Sequence, residues 1–182
     1  MTGQNLITFS RPVGANQSPG TYVDENGIIQ LSSANAPRFD HNPTTGESLG
    51  LLIEESRTNI LLNSATLSTQ SVTTSAAAYT LSFYGTGTVT LSGTSTAGPL
   101  VGTGANDRAT LTFTPTAGTL TLTVTGTASN AQLEAGSFST SYIPTTGTAL
   151  TRSADVASIT GSNFSSWYNQ NSISLFAEVS YY

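Results

Sequence analysis

The sequence predicts an all-β fold: an antiparallel, jelly-roll-like β-sandwich with an extended amino-terminal strand and hairpin segment. Three observations point there. From Tyr79 to Ser92, Leu81, Phe83, Val89 and Leu91 fall on odd positions, while Thr80, Ser82, Thr86, Thr88, Thr90 and Ser92 fall on even ones. A period of two gives a strand one buried face and one wet face. The same alternation returns at Leu111–Thr114 and at Leu120–Val124. No apolar pattern with a period of 3.6 or seven is sustained, so long helices are not expected. Threonine suits the wet face because its branched Cβ favours the pleat while its hydroxyl tolerates water.

Taken in order, Leu6–Ser10 alternates as a first strand before Pro12, Gly14, Pro19 and Gly20 punctuate the chain. Thr21-Tyr22-Val23, the turn signal Asp24-Glu25-Asn26-Gly27, and Ile28–Leu31 together predict a β-hairpin. A turn-rich stretch from Ala36 to Glu47 leads into a strand expected over Leu49–Glu55, which Arg57-Thr58-Asn59 links to Ile60-Leu61-Leu62. Pro115–Gly118 sits between two alternating runs and reads as the loop of a hairpin. Ile173–Val179 is a last alternating strand, which must pair with the amino-terminal strands or with another subunit. Three segments are expected: an amino-terminal hairpin and assembly segment over 1–58, a sandwich domain over 59–150, and carboxy-terminal strands over 151–182.

Composition narrows the function. Only 8% of the 182 residues are charged, against about a quarter in an average domain. There is no lysine, the five cations are all arginines, and the net charge is −5. Neutralising phosphates needs clustered cations, so nucleic acid is not an expected partner, nor is insertion into or binding to a membrane. There is no cysteine, which removes disulfides, thiol nucleophiles and thiolate metal sites. A polar but uncharged surface leaves strand edges undefended and suits packing against neighbours, the property of an assembly component.

Catalytic chemistry lacks its parts. His41 is the single histidine, Asp40 shares its local turn, and no Gly-x-Ser-x-Gly elbow occurs. The neighbouring Glu54 and Glu55 would point to opposite faces of a strand, so they cannot flank one glycosidic bond. Asp24, Asn26 and Gly27 resemble a loop of oxygen ligands, but the twelve-residue calcium pattern is missing and a plain turn accounts for them. No enzyme activity, metal or cofactor is expected.

Three stretches go beyond generic β-pattern. The first is Ile7-Thr8-Phe9-Ser10-Arg11 with Thr21–Asp24 and Gly27-Ile28. The second is Pro37-Arg38-Phe39-Asp40 with Gly46, then Leu49–Glu55 and Arg57-Thr58-Asn59. The third is Ala131–Phe138, Ser141–Thr145 and Thr151–Asp155. In this order they resemble a family of bacteriophage virion proteins, usually tail-fibre or other appendage proteins. Members resemble carbohydrate-binding sandwich modules, often followed by a laminin-G/concanavalin-like domain. The resemblance runs from about Leu6 to Val179, by pattern alone from Ser64 to Thr127. The family often continues well beyond a segment similar to Ser166-Trp167-Tyr168-Asn169, so 151–182 corresponds to the truncated start of that lectin-like domain.

The resemblance implies a virion structural protein on the surface of the phage particle, in its tail or fibre. Its implied partners are copies of itself, expected as a trimer from the likeness to fibres, and other virion proteins. Attachment to a host-surface glycan accompanies that expectation, and a carbohydrate-binding module is the alternative reading. Trp167, Tyr168 and Tyr142 lead the candidates for glycan stacking or a subunit interface, with Phe138, Tyr181 and Tyr182 behind them. Arg38, Arg57 and Arg152 are expected to form structural ion pairs with Asp40, with Glu54 or Glu55, and with Asp155, because arginine pairs with carboxylates in a planar two-pronged fashion.

Overall fold

The alternating runs become strands whose apolar faces close on one another. The computed structural model describes residues 7–172 and residue 174. Seven short strands come first: β1 (Thr8–Ser10), β2 (Gln17–Ser18), β3 (Thr21–Val23), β4 (Ile29–Leu31), β5 (Phe39–His41), β6 (Ser48–Leu51) and β7 (Arg57–Asn59). Seven more build the sandwich: β8 (Gln70–Thr74), β9 (Tyr79–Gly85), β10 (Thr88–Gly93), β11 (Leu100–Val101), β12 (Gly104–Phe113), β13 (Gly118–Thr125) and β14 (Ser129–Ala135). They are followed by β15 (Leu150–Arg152), β16 (Val156–Ser158) and a one-turn helix α1 (Ser162–Ser165). The chain is thus all-β and built as an antiparallel sandwich.

One sheet has the order β11-β10-β13-β8 and the facing sheet β12-β9-β14, with every neighbour antiparallel. Leu81 and Phe83 of β9 and Leu133 of β14 join Val89 and Leu91 of β10 and Leu120 and Leu122 of β13 in one buried cluster. Burying each such side chain contributes about 1.5–3 kcal/mol. Strand β13 keeps the expected alternation, with Thr119 and Thr123 exposed on either side of the buried Leu120 and Leu122 and Thr121 half-buried between them.

Two expectations change at this level. Leu111–Thr114 and Leu120–Val124 do not pair as a hairpin. β12 pairs with β9, whereas β13 pairs with β10 and β8, so Pro115–Gly118 lies on a crossing from one sheet to the other. Strand β9 also has no wet face over its first half, because Thr80 and Ser82 are buried along with Leu81 and Phe83. It is the central strand of its sheet, and Thr80 Oγ1 meets Thr112 Oγ1 of β12 and donates to Gly136 O, both at 2.9 Å. The strand expected over Leu49–Glu55 is shorter: β6 ends at Leu51, and the chain runs on to β7 outside any strand, with Leu52 N donating to Arg38 O at 2.8 Å and Glu54 O accepting from Asp155 N at 2.9 Å.

The remaining strands come from both ends of the sequence. β3 and β4 form the expected hairpin with Val23 opposite Ile29, and β5 and β6 form a second one. β15 lies between β7, antiparallel, and β2, parallel, while β1 pairs with β16. The described parts of the segments 1–58 and 151–182 are therefore interleaved, with the limits at 58/59 and 150/151 falling at β7 and β15. The strand expected over Ile173–Val179 lies outside the described residues. Among the described residues no helix is long and apolar enough to cross a membrane.

Candidate functional site

Where the amino-terminal strands and β15 meet the polar face of the β12-β9-β14 sheet, the chain buries charge. Arg11, Arg38 and Arg152 have 0% exposure. An isolated buried charge is too costly to persist, so each guanidinium must find partners. Arg11 Nη1 pairs with Asp155 Oδ1 at 2.7 Å, and its Nε and Nη2 donate to Pro19 O at 2.6 Å and Ser32 Oγ at 2.6 Å. Arg38 Nη2 reaches both Asp155 Oδ2, at 2.5 Å, and Glu54 Oε2, at 2.8 Å. Arg152 Nη1 takes Glu54 Oε2 at 3.0 Å, and its Nη2 donates to Glu55 O at 2.5 Å.

The carboxylates are equally engaged. Glu54 Oε1 accepts the Ser141 backbone N–H at 2.6 Å, and Oε2 accepts the Ser141 hydroxyl at 2.6 Å. Burial pushes the Glu54 carboxyl up, but Arg152, Arg38 and the two Ser141 donors outweigh it and hold it below the usual carboxylate range. Glu134, also fully buried, accepts from Thr140 N, Thr140 Oγ1 and Gln132 Nε2 at 2.8, 2.7 and 2.7 Å. Glu54 and Asp155 take the ion pairs of Arg11, Arg38 and Arg152, and Glu134 joins them through Thr140 Oγ1, which Arg152 Nη1 meets at 3.3 Å. Burial lowers the Arg152 guanidinium, partly offset by Glu54, without bringing arginine near neutrality.

Two local features make room for this core. Gly20 has φ +77°, and a Cβ there would lie 2.5 Å from Arg152 Cδ, so a side chain would displace the guanidinium stem. Asn59, at the end of β7, donates through Nδ2 to Ala131 O and Ile143 O at 3.0 and 2.9 Å. Its Oδ1 accepts from Leu61 N and Leu133 N, both at 3.1 Å. One buried amide thereby uses its full hydrogen-bonding capacity to tie β7 to β14.

The three sequence stretches converge here: Arg11 and Thr21 come from the first, Arg38, Glu54 and Asn59 from the second, and Glu134, Ser141, Arg152 and Asp155 from the third. Arg38 takes Glu54 and Asp155 as partners rather than Asp40, Arg152 takes Glu54 rather than Asp155, and among the described residues Asp40 has no ion pair. Asp40 instead accepts the Val23 N–H at 2.6 Å, and burial raises its carboxyl. Arg57 pairs with Glu55 apart from the core, on a carboxylate more than half exposed, where a pair is worth about 0–1 kcal/mol. Arg11 and Glu134 were not expected in the network. The scarcity of cations was the signal that could have found Arg11.

The aromatic candidates separate. Trp167 and Tyr168 are 46% and 40% exposed and cluster with Phe164, whose ring centre lies 5.4 Å from Trp167 and 4.4 Å from Tyr168. Tyr142 is only 6% exposed, and its hydroxyl meets Ser64 Oγ at 2.7 Å, so its ring is core and cannot stack on a ligand. Phe138 is exposed, and Tyr181 and Tyr182 lie outside the described residues. Asp24 is occupied as a turn residue: Oδ1 accepts Asn26 N and Ile28 N, and Oδ2 accepts Gln30 Nε2. Among the described residues no group of three or more His, Asp or Glu side chains is placed to hold a metal ion.

No protein-family model matches the chain, and neither a curated protein nor a solved structure matches it. The functional reading therefore rests on the residues. The ionic core can fix the amino-terminal hairpins against the sandwich. Asp155 and the three guanidiniums have no exposed side-chain surface from which to act on a substrate.

Proposed function

We propose that the chain is a bacteriophage virion structural protein, a tail-fibre or other appendage component that works by assembling with copies of itself and with other virion proteins. The likeness of the three sequence stretches to such proteins supports the reading. Their meeting in one buried core supports treating them as a unit.

The observation that carries the assembly part is the outward face of the two amino-terminal hairpins. Leu31 and Phe39 are 62% and 53% exposed, and Ile28 is 56% exposed. Large apolar side chains grouped on a surface mark interaction sites, and this charge-poor chain has little else to keep its strand edges apart. The same reading takes the chain to be non-catalytic. His41 Nδ1 lies 3.0 Å from Val23 O, and Asp40 accepts the Val23 N–H, so both neighbours hold β5 to β3.

The test is antibody labelling of intact particles of a phage that encodes the chain. Gold at the tail, fibre or another appendage is the expected result. Absence of the chain from purified particles, read by mass spectrometry, overturns the reading.

A further inference from the structure

Strand β14 and the segment that follows it bring together a hydroxyl, a carboxylate and a primary amide. Side chains alternate along a strand, so Gln132 and Glu134 share the face opposite the core residue Leu133. The chain bends after Ala135, and Thr140 and Ile143 return to bond with that face. Gln132 and Glu134 are 0% exposed and Thr140 is 4% exposed.

Glu134 touches both of the other groups. Its Oε2 accepts the Thr140 hydroxyl at 2.7 Å, and its Oε1 accepts Gln132 Nε2 at 2.7 Å. Thr140 Oγ1 lies 3.3 Å from Gln132 Nε2 and 3.3 Å from Arg152 Nη1. At the other end of the same amide, Gln132 Oε1 accepts the Ile143 backbone N–H at 2.6 Å. Acyl transfer needs a nucleophile on a base, a donor on the carbonyl oxygen and a proton source for the leaving group, in a site that excludes water. A cation beside the attacking oxygen helps it carry negative charge.

We propose that Thr140 and Gln132 join in an intramolecular ester, with Glu134 carrying the proton between them. Thr140 Oγ1 attacks Gln132 Cδ, the carbon bonded to Nε2, while its proton passes to Glu134. The contact on Cδ closes as the transition state forms, since catalytic contacts are often long in the resting site. Charge builds on Gln132 Oε1 and is held by the Ile143 N–H. Glu134 then gives the proton to Nε2, the Cδ–Nε2 bond breaks, and ammonia leaves through the groove that Thr140 lines. A hydroxyl and a primary amide become an ester and ammonia. Glu134 ends as the carboxylate it began as, and no oxidant, reductant or water is consumed. The event happens once per chain, so it is self-modification and not turnover. It gives a cysteine-free chain a covalent tie beside Ser141, the residue that holds Glu54. This goes beyond assembly and does not depend on it.

The test is the intact mass of the purified full chain in denaturant, followed by peptide mapping in the mass spectrometer. The expected mass is lower than that of the sequence by one ammonia, with the loss mapped to a peptide in which Thr140 is bonded to Gln132. Hydroxylamine, which opens esters, should free Thr140 and leave a hydroxamate at position 132. Thr140→Val removes the hydroxyl and Glu134→Gln removes the base, and each should show its full sequence mass. If either variant fails to fold by circular dichroism, the wild-type mass and map decide alone. A wild-type chain at its full sequence mass means a hydrogen-bonded cluster that never reacts, and overturns the proposal. So does a lost ammonia mapped only to another site, such as Asn26-Gly27, or a loss that persists in folded Thr140→Val. Absence from virions would instead count against the proposed function alone.

Discussion

Arg38 and Asp155 stand 117 residues apart in the sequence and meet at 2.5 Å, with no exposed surface on either side chain. Asp155 also takes Arg11, and its Oδ2 accepts the Glu54 backbone N–H at 2.9 Å. One carboxylate thus joins the first, second and third motif stretches.

Asp155→Ala leaves two buried guanidiniums short of a partner. Breaking a buried pair by removing one side costs about 3–5 kcal/mol, and a loss in that range is expected in urea denaturation. A loss under about 1 kcal/mol would mean the network relaxes at little cost.

The Glu54 carboxyl sits below its usual range in the folded chain, held by Arg152, Arg38 and Ser141 against the opposing effect of burial. A lowered folded-state pKa gives stability that is fully present above the unfolded value, about 4.3 for Glu. That stability is lost as pH falls through the lower folded value. Unfolding free energy should therefore drop steeply below about pH 4, and Glu54→Gln should flatten the drop. Superimposable acid limbs in the two proteins would contradict this.

Asn59→Ala orphans two N–H groups and two carbonyls inside the protein. Each unsatisfied buried group costs about 1–3 kcal/mol, so a total of at least ~3 kcal/mol is expected, measured as a fall in denaturation midpoint. Asn59→Asp would set a carboxylate oxygen against Ala131 O and Ile143 O in a buried site, and should lose at least as much as alanine.

Gly20 and Gly50 form a controlled pair. Both have positive φ, +77° and +90°, but a Cβ at Gly50 meets nothing within 4 Å, whereas one at Gly20 strikes Arg152. Alanine at Gly50 should cost only the backbone strain, about 1–3 kcal/mol. Alanine at Gly20 should cost visibly more in thermal melts. Equal losses would argue that Arg152 moves aside freely.

The sandwich was legible because Leu81, Phe83, Val89, Leu91, Leu120 and Leu122 alternate with hydroxyl residues, and a period of two has one physical meaning. Pairing was less legible. Two alternating runs separated by Pro115–Gly118 look the same whether they pair with each other or cross between sheets, and only the long-range partners β9, β8 and β10 distinguish these. Thr80 looks solvent-facing for the same reason, because its partners Thr112 and Gly136 O lie 32 and 56 residues away. Within the ionic core, Arg38, Glu54, Arg152 and Asp155 stood out as rare charges. Arg11 has no acidic neighbour in sequence and meets Asp155 across 144 residues. Asp40 misled in the opposite way, since nearness to Arg38 in sequence did not become an ion pair.

Sedimentation of the purified full chain, beside a Leu31→Asp, Phe39→Asp double variant, tests assembly most directly. The account predicts a stable multimer that the double variant converts to monomer without loss of β structure, because both side chains are exposed on hairpin strands. A wild-type chain that sediments as a monomer at its highest soluble concentration would contradict it.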